Sequence, residues 1–330
     1  MVPITSIIPA GAHKNNVRLF GGEKVHRTFS GFHLTSRRER EYGAAMIKRL
    51  CIIGVGLIGG SLARALKHAA YCAEVVGCGR DTAQLQRAVQ LGVIDRYEQD
   101  PARAVADADV VVLAIPLGAM ESVMCAMAGH VKPGAVITDV GSAKGSVVAA
   151  AQAAFGTVTG RFVPGHPIAG TEKSGVEASF AELYRERRVI LTPLAQTDAD
   201  ALALVREMWR QAGAEVVEMS VEHHDEVLAA TSHLPHMLAF ALVDTLARMH
   251  EQAEIFRYAA GGFRDFTRIA SSDPVMWRDI CLANREAIAA MIDRFQGDLV
   301  GLREAIVQGD GKAIEEIFTR AKDARDRYCE

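Results

Sequence analysis

One imidazole, His166, stands between a glycine and a proline in the stretch VPGHPIAGTEKSG, Val163–Gly175. A histidine with an unperturbed pKa near ~6.5 accepts protons at neutral pH. A well-placed general base of this kind is worth ~10²–10⁴-fold in rate. A proline there argues against a helix interior or a central strand, so a constrained loop is expected to present the ring. Two further stretches carry groups suited to binding. ATSHLPHMLA, Ala230–Ala239, holds Ser232, His233 and His236 around Pro235. The two histidines, three apart, share a helix face; a metal site there lacks a nearby Cys or an H-E-x-x-H pattern. GGFRDFTRIASSDPVMWRDI, Gly261–Ile280, holds Arg264 and Arg268, four apart and facing the same way on a helix. In a chain of net charge −3, arginines among aromatics suit a small carboxylate better than nucleic acid.

A second kind of chemistry is written in Gly54-Val55-Gly56-Leu57-Ile58-Gly59, a G-x-G-x-x-G between an apolar run and a helical pattern. Gly54 allows the tight turn, Gly56 a close approach of pyrophosphate, and Gly59 close helix–strand packing. The backbone N–H groups of the helix start, at Leu57 and Ile58, then face the anion. The next strand ends Gly77-Cys78-Gly79-Arg80-Asp81. An acid at its end would bind a ribose 2′-hydroxyl, whereas an arginine would pair with a 2′-phosphate. With Gly79 at the acidic position and Arg80 beside it, NADP is expected over NAD. Asp81 keeps NAD open, because a shift of one residue restores an acid. Ile115 and Pro116 in AIPLG, and Ser142 in TDVGSAKG, fall at other strand ends, where open α/β sheets bind ligands. Ser142 is positioned to donate toward nicotinamide, substrate or His166. Lys144 reads as a substrate-binding charge or an ordinary helix-start lysine.

The elements that must position these groups alternate. RLCIIGV, AEVVGCGR, ADVVVLAIPL and GAVITDVGSAK read as strands, separated by helical patterns. Continuously apolar strands mark a parallel sheet buried on both faces. Arg161–Pro164, RRVILTP and AEVVEMS add strand candidates around a helix near Leu202–Ala212, and from about Val221 the pattern is helical. The expected architecture is α/β: a doubly wound parallel sheet over residues 46–220, followed by an all-α domain over 221–330. Residues 1–45 lack periodicity and are expected to be a disordered extension, or to precede a start at Met46; the acids Glu23, Glu39 and Glu41 weaken a transit-peptide reading. The six cysteines form no C-x-x-C pair and suit reduced thiols in a cytoplasmic protein. No apolar run is expected to reach the ~18 residues of a membrane span, and MLAFALV, Met237–Val243, reads as a buried core helix.

GVGLIGGS, DVGSAKG, GHPIAGTEKSG, SHLPH and GFRDFTRIASSDPVMW occur in that order. At these spacings the chain resembles the prephenate/arogenate dehydrogenase family of tyrosine biosynthesis, from about Ile47 to the C-terminal helices. The resemblance implies a Rossmann domain, a helical domain forming most of a homodimer, and oxidative decarboxylation of a cyclohexadienyl acid with NAD(P)⁺. By the same matching, His166 is the catalytic histidine and Ser142 its polar partner. Arg268 holds the ring carboxylate, His236 is the second histidine, and Ser232, Thr171, Glu172 and Arg264 line the pocket. The chain departs from the family where NAD-using members resemble GYD and it has GCGR. Two rivals remain at this level. One is a β-hydroxyacid dehydrogenase, which would need a catalytic lysine after the cofactor domain. The other is an NADP-sensing protein without catalysis.

Overall fold

The computed structural model describes residues 47–171, 173–250 and 252–328. The expectations for residues 1–45 and for Glu172 lie outside them. Six strands form one all-parallel sheet: β1 (Ile47–Ile53), β2 (Cys72–Cys78), β3 (Arg96–Glu98), β4 (Val110–Leu113), β5 (Val136–Asp139) and β6 (Phe162–Val163). Their order, β3-β2-β1-β4-β5-β6, is that of a dinucleotide-binding sheet. The strands read as unbroken apolar runs because alternate residues serve two cores. Leu50, Ile52, Val110 and Val112 pack on one face with helices α1 (Leu57–His68), α2 (Thr82–Gln90) and α6 (Ala199–Gln211). Cys51, Ile53, Val111 and Leu113 pack on the other with α3 (Pro101–Val105), α4 (Met120–Met127) and α5 (Lys144–Phe155). The sequence patterns show neither β3, three partly buried polar or aromatic residues, nor the five-residue α3.

A second sheet follows, with β7 (Gly165–Pro167) antiparallel to β8 (Arg188–Leu191), and β8 parallel to β9 (Glu215–Glu218). The expected histidine loop is therefore a short strand. It lies at the sheet edge, where a proline is tolerated.

Beyond Ser220 the described residues are helical: α7 (Val221–Leu228), a π-helical turn (Ala229–His233), α8 (Leu234–Ala247), α9 (Gln252–Arg257), α10 (Gly261–Thr267), a 3₁₀ turn (Arg268–Ser271), α11 (Pro274–Ala283), α12 (Arg285–Gln308) and α13 (Gly311–Tyr328). The π turn lets Pro235, which has no N–H to donate, follow without ending the helix. Residues 221–247 consequently run as one helix of 27 residues, long and apolar enough by composition to cross a membrane. It lies against α5, with His224 and His233 buried and Asp225 partly buried. The Met237–Val243 stretch corrects one expectation: only Ala239 is fully buried, and Leu242 is 36 % exposed, because the neighbouring helices cover one side of α8.

Candidate active site

The three fingerprint glycines are glycines for three different reasons. A Cβ on Gly54, at φ +99°, would lie 2.1 Å from the Ala114 carbonyl oxygen and 3.0 Å from the Ile115 side chain. A Cβ on Gly59 would lie 2.2 Å from the Gly54 carbonyl oxygen and 2.8 Å from Ile52. At Gly56 a Cβ would meet nothing within 4 Å. Its bareness keeps space open above the start of α1, where no side chain caps the helix and no acid occupies the first turn. An uncapped, acid-free helix start beside an open cradle fits a dinucleotide pyrophosphate. Leu57 and Ile58 open α1 after the turn that follows β1, and Ile115 and Pro116 lie on the turn after β4. At the end of β2, Arg80 is exposed, and its carbonyl accepts a hydrogen bond from Gln99 Nε2 at 3.1 Å. Asp81 is occupied elsewhere: its Oδ1 caps α2 through the N–H groups of Ala83 and Gln84 at 2.9 and 3.2 Å.

His166 is 8 % exposed. Its Nδ1 lies 2.9 Å from Nε2 of His224, and Nδ1 of His224 lies 2.7 Å from Oδ1 of Asp225. Asp225 also accepts hydrogen bonds from the N–H groups of Lys144 and Gly145, both at 2.8 Å, so a residue of the helical half caps α5. Burial works to raise the Asp225 pKa, but its bonds to His224, Lys144 and Gly145 outweigh that and hold it below the usual carboxylate range. Burial, with His224, Lys144 and His233 adding to it, pushes His166 well below an ordinary histidine. The ring is thus held neutral, in the form that accepts a proton.

Lys144 corrects both sequence readings. It is fully buried, paired with the equally buried Asp139, and Nζ donates to the Gly165 carbonyl at 2.6 Å. Asp139 also accepts from the N–H groups of Gly141 at 2.7 Å and Gly165 at 3.1 Å. Sequence reasoning missed His224, Asp225 and Asp139. VEHHDEVL is mostly charged and polar, and the histidine that His224 meets is 58 residues away.

The helical half completes the surroundings. His236 stacks on Trp277, with centroids 3.7 Å apart and planes at 22°, and its Nδ1 donates to the Ser232 carbonyl at 2.8 Å. That bond leaves Nε2 of the neutral ring as an acceptor. His233 is core: 1 % exposed, edge-on to Trp277, with Nδ1 3.2 Å from Asn284 Nδ2. Asn284 Nδ2 also donates to the Asp225 carbonyl at 2.9 Å, linking this cluster to the His166 chain. Arg264 lies on α10, and Arg268 on the turn that packs against α8, the helix of His236. Ser142 is partly buried and makes no hydrogen bond among the described residues, to His166 included. Thr171 is exposed, and its Oγ1 accepts from the Lys173 N–H at 3.2 Å.

A dinucleotide cradle at the strand ends and a buried histidine on the adjoining sheet fit a nicotinamide-dependent oxidoreductase. The family model described as prephenate dehydrogenase, nucleotide-binding domain, matches residues 62–218. The prephenate dehydrogenase dimerization domain matches residues 220–320. Cyclohexadienyl dehydrogenase of Zymomonas mobilis is 43 % identical over 284 residues, spanning 85 % of this chain and 96 % of that protein. Prephenate dehydrogenase of Bacillus subtilis is 38 % identical over 283 residues, 84 % of this chain and 75 % of that protein. The crystal structure of prephenate dehydrogenase from Aquifex aeolicus, in complex with hydroxyphenyl propionate and NAD⁺, superposes with a TM-score of 0.79. It is 40 % identical and covers 84 % of this chain and 97 % of that one. The chain belongs to the prephenate dehydrogenase family.

Proposed function

We propose that the chain oxidises and decarboxylates prephenate, arogenate or both, giving 4-hydroxyphenylpyruvate or tyrosine. The observation that carries the assignment of the chemistry is His166, buried, with Nδ1 on His224 and no hydrogen bond at Nε2 among the described residues. The nicotinamide, when bound, accepts the hydride from ring C4. His166 Nε2 draws the proton from the C4 hydroxyl as the carbon loses that hydride. The ring carboxylate then leaves as CO₂, its electron pair restores aromaticity, and the proton returns to the phenolic oxygen. Arg268 grips the ring carboxylate, with Arg264 beside it. His236 and Ser232 meet the substrate side chain, Thr171 borders the pocket, and Ser142 donates toward nicotinamide or substrate. Gly54, Gly56, Leu57, Ile58, Gly59, Ile115 and Pro116 would hold the dinucleotide.

NADP is the favoured cofactor. Arg80 is exposed at the end of β2, and the carboxylate next to it, Asp81, caps α2. A homodimer through residues 221–330 fits the apolar side chains that the helical half leaves exposed, among them Leu282 at 68 %, Val307 at 71 % and Phe318 at 56 %. A cytoplasmic setting fits the buried free thiols of Cys51, Cys72 and Cys78.

The test is reduction of NAD⁺ and NADP⁺ followed by absorbance, with prephenate and arogenate each supplied. His166→Asn should lower kcat by ~10²–10⁴-fold. Arg268→Ala should chiefly raise KM, by ~10–100-fold, for a lost charge-assisted bond of about 1.5–3 kcal/mol. An unchanged kcat in His166→Asn would remove the base from the mechanism.

A further inference from the structure

We propose that His224 and Asp225 are positioning residues that lock His166 in the one tautomer able to act as the base, across the junction between the sheets and the helices. The inference rests on His166 being that base. An ionised carboxylate can only accept a hydrogen bond, so at 2.7 Å from Asp225 the Nδ1 of His224 carries the proton. Neutral His224 then has an acceptor at Nε2. His166 Nδ1, 2.9 Å away, must therefore be the donor. The lone pair of His166 is left on Nε2, pointing away from His224. When Nε2 takes a proton, Nδ1–H remains bonded to His224, whose orientation Asp225 fixes. His224 is fully buried, so no water competes for that bond. Asp225 itself is gripped by the start of α5 at two N–H groups. The tautomer is therefore set only when α7 is docked on α5, and the base is competent only in the assembled fold.

Because Asp225 also caps α5, the test turns on His224, compared in the wild-type and His166→Asn backgrounds with prephenate and NADP⁺. His224→Phe, which removes the acceptor, should lower kcat about 10²-fold, with KM moved by less than about 3-fold. His224→Gln, whose Oε1 can still accept from Nδ1, should recover kcat to within about 10-fold of wild type. In the His166→Asn background His224→Phe should change kcat by less than about 2-fold, because there is no base left to orient. Equal losses in both backgrounds would overturn the proposal and leave His224 a packing residue. An unaffected kcat in His166→Asn would instead overturn the base assignment beneath it. Imidazole ¹⁵N shifts of the full-length protein give a readout that does not depend on the variants folding well, with the His166 signals identified by their loss in His166→Asn. A neutral ring protonated at Nδ1 supports the proposal, and one protonated at Nε2 refutes it.

Discussion

Replacing Gly79 by aspartate should shift the cofactor preference toward NAD. The position can take the side chain. Gly79 is not in the left-handed region, and a Cβ there would find Leu85 at 3.6–4.0 Å, ordinary contact distance. Gly77, two residues earlier, is the contrast: its Cβ would fall 2.5 Å from Ile94 and 2.8 Å from Val55. Packing therefore demands Gly77 and leaves Gly79 free to be set by the ligand. A carboxylate at 79 would accept from the ribose hydroxyls of NAD, worth about 1.5–3 kcal/mol as a charge-assisted bond. It would also oppose a 2′-phosphate, for which Arg80 is the proposed partner, a contact of similar size. The two changes sum to about 3–6 kcal/mol, or ~10²–10⁴-fold in the ratio of kcat/KM for the two cofactors. Steady-state kinetics with NAD⁺ and NADP⁺ at saturating prephenate measure that ratio directly. The thermal midpoint should stay put, because Asp81 still caps α2. A wild-type enzyme that uses NAD⁺ as well as NADP⁺, or a variant ratio within 3-fold of wild type, would refute this account of the ribose site.

Two further outcomes concern stability. Lys144→Met leaves the fully buried Asp139 without its cation, a loss of about 3–5 kcal/mol that should lower Tm by on the order of 10 °C. Adding Asp139→Asn should restore part of it, and a Tm within 2 °C of wild type for Lys144→Met would contradict the buried pair. Stability should also fall as pH drops from about 6.5 toward 4. Burial holds the folded-state pKa values of His166, His224, His233 and His236 below their ordinary value, His233 at about 4. In that window the unfolded chain binds more protons, so acid favours it, with His233 alone supplying about 3 kcal/mol. Denaturant titrations across the range should show this slope, flatter in His233→Gln; a level wild-type profile would count against it.

The sequence announces its cofactor half more openly than its catalytic one, for a physical reason. A pyrophosphate cradle is local: Gly54, Gly56 and Gly59 meet their constraints within one turn and the strand ends beside it. His166 is conspicuous because glycine and proline flank it, but its partners are not. Lys144 opens a helix and looks solvated, yet its amine is buried against Asp139 and Gly165. His224 and Asp225 sit among Glu222, His223 and Glu226, a composition that suggests surface. Only the docking of α7 on α5 turns two of those five inward. The edge strand at Gly165–Pro167 escapes pattern reading as well, since three residues carry no periodicity.

Two sets of polar groups converge on that strand, Asp139 with Lys144 and His224 with Asp225, and their arrangement explains how an element so short holds His166 in place. β7 pairs with β8 along one side only. On its other side, where no strand runs, Asp139 accepts from the Gly165 N–H and Lys144 donates to the Gly165 carbonyl. An ion pair substitutes for a neighbouring strand and satisfies both main-chain groups that an edge would leave open. A buried pair of this kind adds little net stability over apolar packing, so its return is placement of the residue that follows. His224 and Asp225 fix the ring of that residue as Lys144 and Asp139 fix its backbone. The backbone anchor comes from the strand β5 and its following helix, and the ring anchor from α7. The two anchors meet at one contact, α5 against α7, where Asp225 caps the helix that carries Lys144.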